Sequence, residues 1–283
     1  MIMSVNFKRL ALLSAVVLNL GILLAQQKEI VILHTNDTHS QIEPNPATAS
    51  RNADEGGMVR RAAAIEQVKK ETPNVILVDA GDFLQGSPYY NFFKGEVEVK
   101  MMNMLGYEVG TLGNHEFDNG IEELARLLAM VKYPIVCANY DVSGTPLEPY
   151  VKKTTIIEKA GVKVGFIGLG VDPEGLIAKK NFGNIKYLDP VETANKYARE
   201  LKDAGCEVIV VVSHIGYYPD ENDEGDREIA MNSTDIDLII GGHSHTDLKG
   251  CVDVLNQEGR PVRITQTGKS GFRLGRINIE LGK

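Results

Sequence analysis

The stretch Gly113-Asn114-His115-Glu116-Phe117-Asp118 gathers an amide, an imidazole and two carboxylates within six residues. An Asn oxygen can hold a divalent cation, and the adjacent His can serve as a ligand or as a proton donor. Asp118, three residues on, can reach back and hold that imidazole in one tautomer. Taken alone, the hexapeptide also suits a tight turn with a helix-capping Asn. Its company argues for chemistry. Of the six histidines, His39, His115, His214, His243 and His245 all stand at or just beyond the end of an apolar, β-branched run. Ile30–Leu33 leads to Asp37-Thr38-His39, and Val75–Val78 leads to Gly81-Asp82. Val208–Val212 runs into His214, and Leu238–Ile240 runs into Gly241-Gly242-His243-Ser244-His245.

Asp37, His39, Asp82, Asn114, His214, His243 and His245 form a mixed imidazole, carboxylate and amide set without thiolate. Such a set suits Zn, Mn, Fe or Co rather than a structural zinc cage. Seven ligands are too many for one tetrahedral ion and suit two. A pair needs a bridging carboxylate, and Asp82, alone between the two groups, is the natural bridge. Two divalent ions about 3.5–4 Å apart can clamp an in-line displacement at phosphorus and generate hydroxide near neutral pH.

Residues so far apart in the chain meet only if the elements before them end at one edge. Strands ending together at the carboxyl edge of an α/β sheet do that. The pattern predicts strands at Glu29–Leu33, Val75–Val78, Glu108–Leu112, Ile135–Ala138, Val208–Val212, Leu238–Ile240, Val262–Thr267 and Leu274–Glu280. Helices are predicted at Met58–Glu71, Val97–Leu105, Ile121–Val131 and Val191–Ala204. Thr154–Glu158 and Lys163–Gly168 read as a hairpin turning at Ala160-Gly161, and Tyr140–Pro149 as a turn-rich bridge. An acidic loop is expected over Asp220–Asp226. Strand–helix alternation in the first half implies parallel pairing, while the hairpins imply antiparallel edges. The expected architecture is α/β, with a mixed sheet or two packed sheets. Gly168-Leu169-Gly170 lacks the rest of a dinucleotide fingerprint and is discounted.

With 283 residues, 43% hydrophobic, the chain is long enough for one large α/β domain. Residues 1–25 stand apart: Lys8 and Arg9 precede the apolar run Leu10–Leu24 and the small residue Ala25, the layout of a cleaved secretory signal peptide. The expectation is an exported protein, periplasmic or secreted, with its domain over 26–283. The formal net charge is −8, and the leader carries two of the positive charges, so the rest is more acidic still. An acidic chain is a poor partner for nucleic-acid polymers, and bound metal must draw any anionic substrate. Cys137, Cys206 and Cys251 have no metal-ligand spacing; the first two are expected to be buried thiols.

The order Asp-x-His (Asp37, His39), Gly-Asp (Gly81-Asp82), Gly-Asn-His-Glu (Gly113 to Glu116), His214 and Gly-His-x-His (Gly242 to His245) resembles that of the calcineurin-like metallophosphoesterases. Within them it is similar to the 5′-nucleotidase branch, through His34-Thr35-Asn36-Asp37-Thr38-His39 and through Tyr107 to Asp118. The resemblance implies a four-layer αββα sandwich. It implies that Asp37, His39, Asp82 and His245 hold one metal and Asp82, Asn114, His214 and His243 the other, their bridging hydroxide attacking phosphorus. It also implies that Asn114 and His115 meet the substrate phosphate. His115 would protonate or stabilise the leaving oxygen, with Asp118 orienting it. His34 is read as structural, and Glu116 either supports the ligands from behind or caps the following helix.

Exported nucleotidases of this branch carry a second domain with aromatics for the base and arginines for the phosphate. The sequence ends at Lys283, so the expectation is a catalytic domain alone, with those contacts supplied by a separate chain or a second copy. Tyr89, Tyr90, Phe92, Phe93, Tyr217 and Tyr218 are its own nearby aromatics. The expected substrate is a small phosphorylated molecule, a 5′-nucleotide or related phosphomonoester. Alternatives on the same site are a 2′,3′-cyclic nucleotide, a nucleotide sugar or a sulfur compound. From another class, the alternative is a metal-retaining, non-catalytic binding subunit.

Overall fold

The β-branched runs become the central strands of two six-stranded sheets in the computed structural model, which describes residues 28–218 and 225–281. The expected leader, 1–25, and residues 220–224 of the expected acidic loop lie outside the described residues. The first half contains β1 (Lys28–Thr35), α1 (Met58–Glu71), β2 (Val75–Asp79), α2 (Pro88–Phe93), α3 (Glu96–Leu105), β3 (Val109–Gly110) and α4 (Ile121–Leu128). The middle runs through β4 (Ile135–Val136), β5 (Tyr140–Asp141), β6 (Val151–Lys152), β7 (Thr154–Lys159), β8 (Val162–Gly170), α5 (Lys179–Phe182) and β9 (Lys186–Tyr187). The chain continues with α6 (Pro190–Asp203), β10 (Val208–His214), α7 (Asp226–Met231), β11 (Leu238–Ile240), β12 (Val252–Leu255), β13 (Pro261–Thr265) and β14 (Gly275–Leu281).

One sheet has the order β14-β1-β2-β3-β4-β6, all parallel except β14, which runs antiparallel to β1. The other has the order β12-β13-β11-β10-β8-β7, four parallel strands with antiparallel β12 and β7 at its edges. Successive side chains of a strand point to opposite faces, so strands apolar on both faces can be covered on both. Ile30, Ile32, Ile76 and Val78 pack between the sheets with Val164, Phe166, Val210 and Val212. Their neighbours Val31, Leu33, Val75 and Leu77 face outward, onto Ile65 of α1, Val99 and Met102 of α3 and Leu124 of α4. On the far side Ile167, Leu169, Ile209 and Val211 meet Ala194, Ala198 and Leu201 of α6 and Ile229 of α7. Three apolar layers thus separate four structural ones, giving the expected αββα sandwich.

Local sequence sets several element ends. Helix α6 begins at Asp189, whose side chain accepts from Glu192 N at 2.7 Å, with Pro190 in the first turn. Six short elements, α2, α5, α7, β6, β9 and β12, carry no clear periodic signal because each is too brief to show one. The predicted helix over Ile121–Val131 stops at Leu128, and the expected bridge after Tyr140 opens with β5, paired to β9. Asp226, expected in an acidic loop, is instead the wholly buried first residue of α7.

Gly168 has a structural reason of its own. A Cβ there would lie 1.9 Å from the carbonyl oxygen of Val136, and Ala138 N donates to Gly168 O at 2.7 Å. The two sheets touch backbone to backbone at this point. Gly168→Ala should therefore destabilise the fold by about 3 kcal/mol, the upper end of ordinary overpacking. The check is the denaturant midpoint; an unchanged midpoint would mean that the sheets part without cost.

Candidate metal centre

Parallel strands from both sheets deliver their carboxyl ends to one edge, and the chemistry-bearing residues follow directly. Asp37 and His39 come after β1, Asp82 after β2, Asn114 and His115 after β3, His214 at the end of β10, and His243 and His245 after β11. All seven expected ligands and the His115–Asp118 pair are brought together there. Asp37, His39, Asp82, His243 and His245 adopt positive φ, between 45° and 68°. Non-glycine residues enter this region at a cost, and such outliers cluster at functional sites. Gly113 is needed for closeness: a Cβ there would sit 2.2 Å from Asp82 Oδ1.

Asp37 Oδ1 is faced by three imidazole Nε2 atoms, those of His245 at 3.3 Å and of His39 and His214 at 3.9 Å. His39 Nε2 and His245 Nε2 are 3.0 Å apart, and His214 Nε2 lies 3.1 Å from Asp82 Oδ2. Asn114 Oδ1 is 2.9 Å from His243 Nδ1. Three sets of ligand atoms fall within 4.8 Å of one another: Asp37, His39 and His245; Asp82, His214 and His243; and His39, Asp82 and His115. The first two sets fall within the two groups that the sequence resemblance implied, and Asp82 reaches both neighbourhoods. The wholly buried His214 turns Nε2 to the Asp37 and Asp82 carboxylates, while its Nδ1 donates to Ala80 O at 2.6 Å. A ring nitrogen buried among carboxylates, its partner nitrogen held by a carbonyl, fits a divalent cation lodged between them. The donor types fit a divalent transition metal.

Burial and neighbouring charge tune these groups. Burial, reinforced by the His214 charge, lowers His243 to about 4, which keeps it neutral and able to bind metal. Burial likewise lowers His39. For Asp82, burial by itself would raise the carboxyl, but the His214 imidazole outweighs it and holds Asp82 below the usual range. His115 Nδ1 lies 3.0 Å from Asp118 Oδ2, and that hydrogen bond raises the His115 pKa. With Nδ1 engaged, Nε2 is the atom left for chemistry.

The carboxylate of Glu116 accepts from Asp82 N at 2.9 Å, Gly113 N at 2.6 Å and Leu84 N at 3.2 Å. Of its two sequence readings, support of the ligand loops is the one the geometry takes. His34, as expected, is structural: it is fully buried beside Gly275 of β14, with Nε2 3.4 Å from Thr265 Oγ1. Sequence reasoning missed Gln266, whose amide bonds Gly242 O, Ser244 Oγ and Thr246 N and so shapes the double-histidine turn. It also missed Asp79, which binds Thr35 Oγ1 at 2.6 Å and Gly81 N at 3.1 Å beneath the Asp82 loop. No spacing signal marks either, because their partners are backbone groups or distant residues.

The aromatics divide. Tyr90 and Tyr217 are buried, so neither ring is open to stack a base. Phe92, Phe93 and Tyr218 are exposed, and Tyr89 bonds Glu43 Oε1 at 2.8 Å. Cys137 and Cys206 are buried free thiols, and Cys251 is free and exposed. Among the described residues no helix is long and apolar enough to cross a membrane.

A family model described as calcineurin-like phosphoesterase matches residues 30–247. The 5′-nucleotidase of Rattus norvegicus is 33% identical over 278 residues, covering 90% of this chain and 47% of that protein. A probable 5′-nucleotidase of Treponema pallidum (strain Nichols) is 30% identical over 271 residues, covering 89% and 45% respectively. The crystal structure of a 5′-nucleotidase precursor from Thermus thermophilus superposes with a TM-score of 0.80 at 32% identity, covering 89% of this chain and 51% of that one. The chain spans about half the length of these relatives.

Proposed function

The chain belongs to the calcineurin-like phosphoesterase family, and from that membership we propose that it is an exported, dinuclear-metal phosphoesterase acting on 5′-nucleotides or related phosphomonoesters. The observation that carries this reading is the meeting of two ligand sets around Asp82 with the His115–Asp118 pair alongside. Asp37, His39, Asp82 and His245 would hold one ion, and Asp82, Asn114, His214 and His243 the other. When bound, two divalent ions supply charge that grips phosphoryl oxygens and activates a water. Asn114 and His115 then orient the phosphate. His115 Nε2 gives its proton to the leaving oxygen, while Asp118 holds the ring through Nδ1. The pairing of metal ligands with a held proton donor favours turnover over a purely binding role. The basic-then-apolar segment ending at Ala25 supports export.

The substrate class rests on the similarity to 5′-nucleotidases. The site itself is built for phosphate: its convergent groups are metal ligands and one proton donor, and Tyr90 and Tyr217 are buried away. Discrimination needs groups paired to the rest of the substrate. The expected result is therefore hydrolysis of both AMP and glycerol phosphate, with Michaelis constants within about tenfold. Elemental analysis of the same preparation should find two divalent ions per chain, and chelation should remove activity. Metal without turnover would favour the binding-subunit reading. A strong preference for AMP would mean that these loops read the nucleoside.

A further inference from the structure

Asn36 stands one residue before the first expected ligand and is 1% exposed. Its Oδ1 accepts from Thr267 N at 2.9 Å and Thr267 Oγ1 at 2.6 Å. Its Nδ2 donates to Gly268 O at 2.7 Å and to Asp37 Oδ2 at 2.6 Å. An amide side chain has two donors and an acceptor with two lone pairs, so every capacity is used. The orientation of the amide is forced. A backbone N–H can only donate, so Oδ1 must face Thr267, and the NH₂ group must face Asp37.

The consequence falls on the two oxygens of Asp37. Oδ2 takes the Asn36 donor and lies 3.0 Å from His243 N. Oδ1, also 3.1 Å from His243 N, is the oxygen that faces Nε2 of His39, His214 and His245. We propose that Asn36 is a positioning residue that occupies Oδ2 of Asp37 and so presents Oδ1 alone to the metal centre. It anchors this choice across the molecule, because Asp37 follows β1 of one sheet and Thr267 follows β13 of the other. The proposal rests on the metal reading above and concerns the ion held by Asp37, His39, Asp82 and His245.

The test is calorimetric titration of metal-free protein with Zn²⁺, comparing wild type with Asn36→Ala, Asn36→Asp and Thr267→Val. Asn36→Asp keeps the shape but sets a carboxylate oxygen against Asp37 Oδ2. Removing a partner of a metal ligand typically weakens affinity about 10- to 100-fold. Both Asn36 variants should show that loss for one ion, with the other near its wild-type affinity. Thr267→Val breaks one of the four bonds and keeps the backbone one, so its loss at the same ion should be smaller. It carries the test if the Asn36 variants do not fold. Wild-type affinity for both ions in a folded Asn36 variant, or in Thr267→Val where those do not fold, would overturn the proposal. So would equal weakening of both ions, which marks a general loosening of the fold. A wild-type protein that binds no Zn²⁺ would bring down the metal reading itself, and this assignment with it.

Discussion

Asp82→Ala should empty both metal positions and lower phosphoester hydrolysis on the order of a thousandfold or more, since the ions supply several kcal/mol of charge stabilisation. Asp82 is the one carboxylate that shares ligand sets with His39 on one side and with His214 and His243 on the other. His39→Ala should mainly empty one position, because His39 shares no set with His214 or His243. Asp82 also accepts from His115 N at 2.9 Å, so the alanine variant disturbs the backbone of the proposed proton donor as well. Asp82→Asn keeps an oxygen for that bond and removes the charge, which separates the two effects. Elemental analysis of each purified variant reads the result. Two tightly held ions in the Asp82 variants would defeat the bridging assignment.

His115→Ala should keep both metals yet cut turnover about 100- to 10,000-fold, the usual range for losing general-acid help. The geometry behind this is the 3.0 Å contact of His115 Nδ1 with Asp118, which holds a ring that shares a ligand set with His39 and Asp82. The deficit should depend on the leaving group. A nitrophenolate departs without a proton, so the variant should recover most of its rate on nitrophenyl phosphate and little on AMP. An equal loss on both substrates would mean that His115 binds phosphate and donates no proton in the rate-limiting step. Loss of metal from the variant would point to the third ligand set, in which His115 joins His39 and Asp82.

Local sequence determined a great deal here. The β-branched runs before Asp37, Asp82, His214 and His243 are strands because apolar side chains on both faces demand cover on both sides. The polar residues that follow stand in loops after β1, β2 and β11, while His214 is itself the last residue of β10. The alternation of helix and strand required parallel pairing, and parallel strands bring their carboxyl ends to one edge. Order along the chain and residue type were therefore enough to nominate Asp37, His39, Asp82, Asn114, His115, His214, His243 and His245 together. Tertiary structure alone decided how those groups are held. That Asn36 bonds Thr267 and Gly268, more than 200 residues away, follows from how the two sheets stack. Glu116 serves the backbone amides of Asp82, Leu84 and Gly113 instead of a helix end because the 3₁₀ turn His115–Phe117 folds it inward. Gly168 is glycine because the backbone of Val136 arrives from the other sheet. Asp226 is buried because α7 packs against the second sheet. Periodicity records which face of an element is apolar, but not which backbone atom of a distant strand will come to lie beside a given side chain.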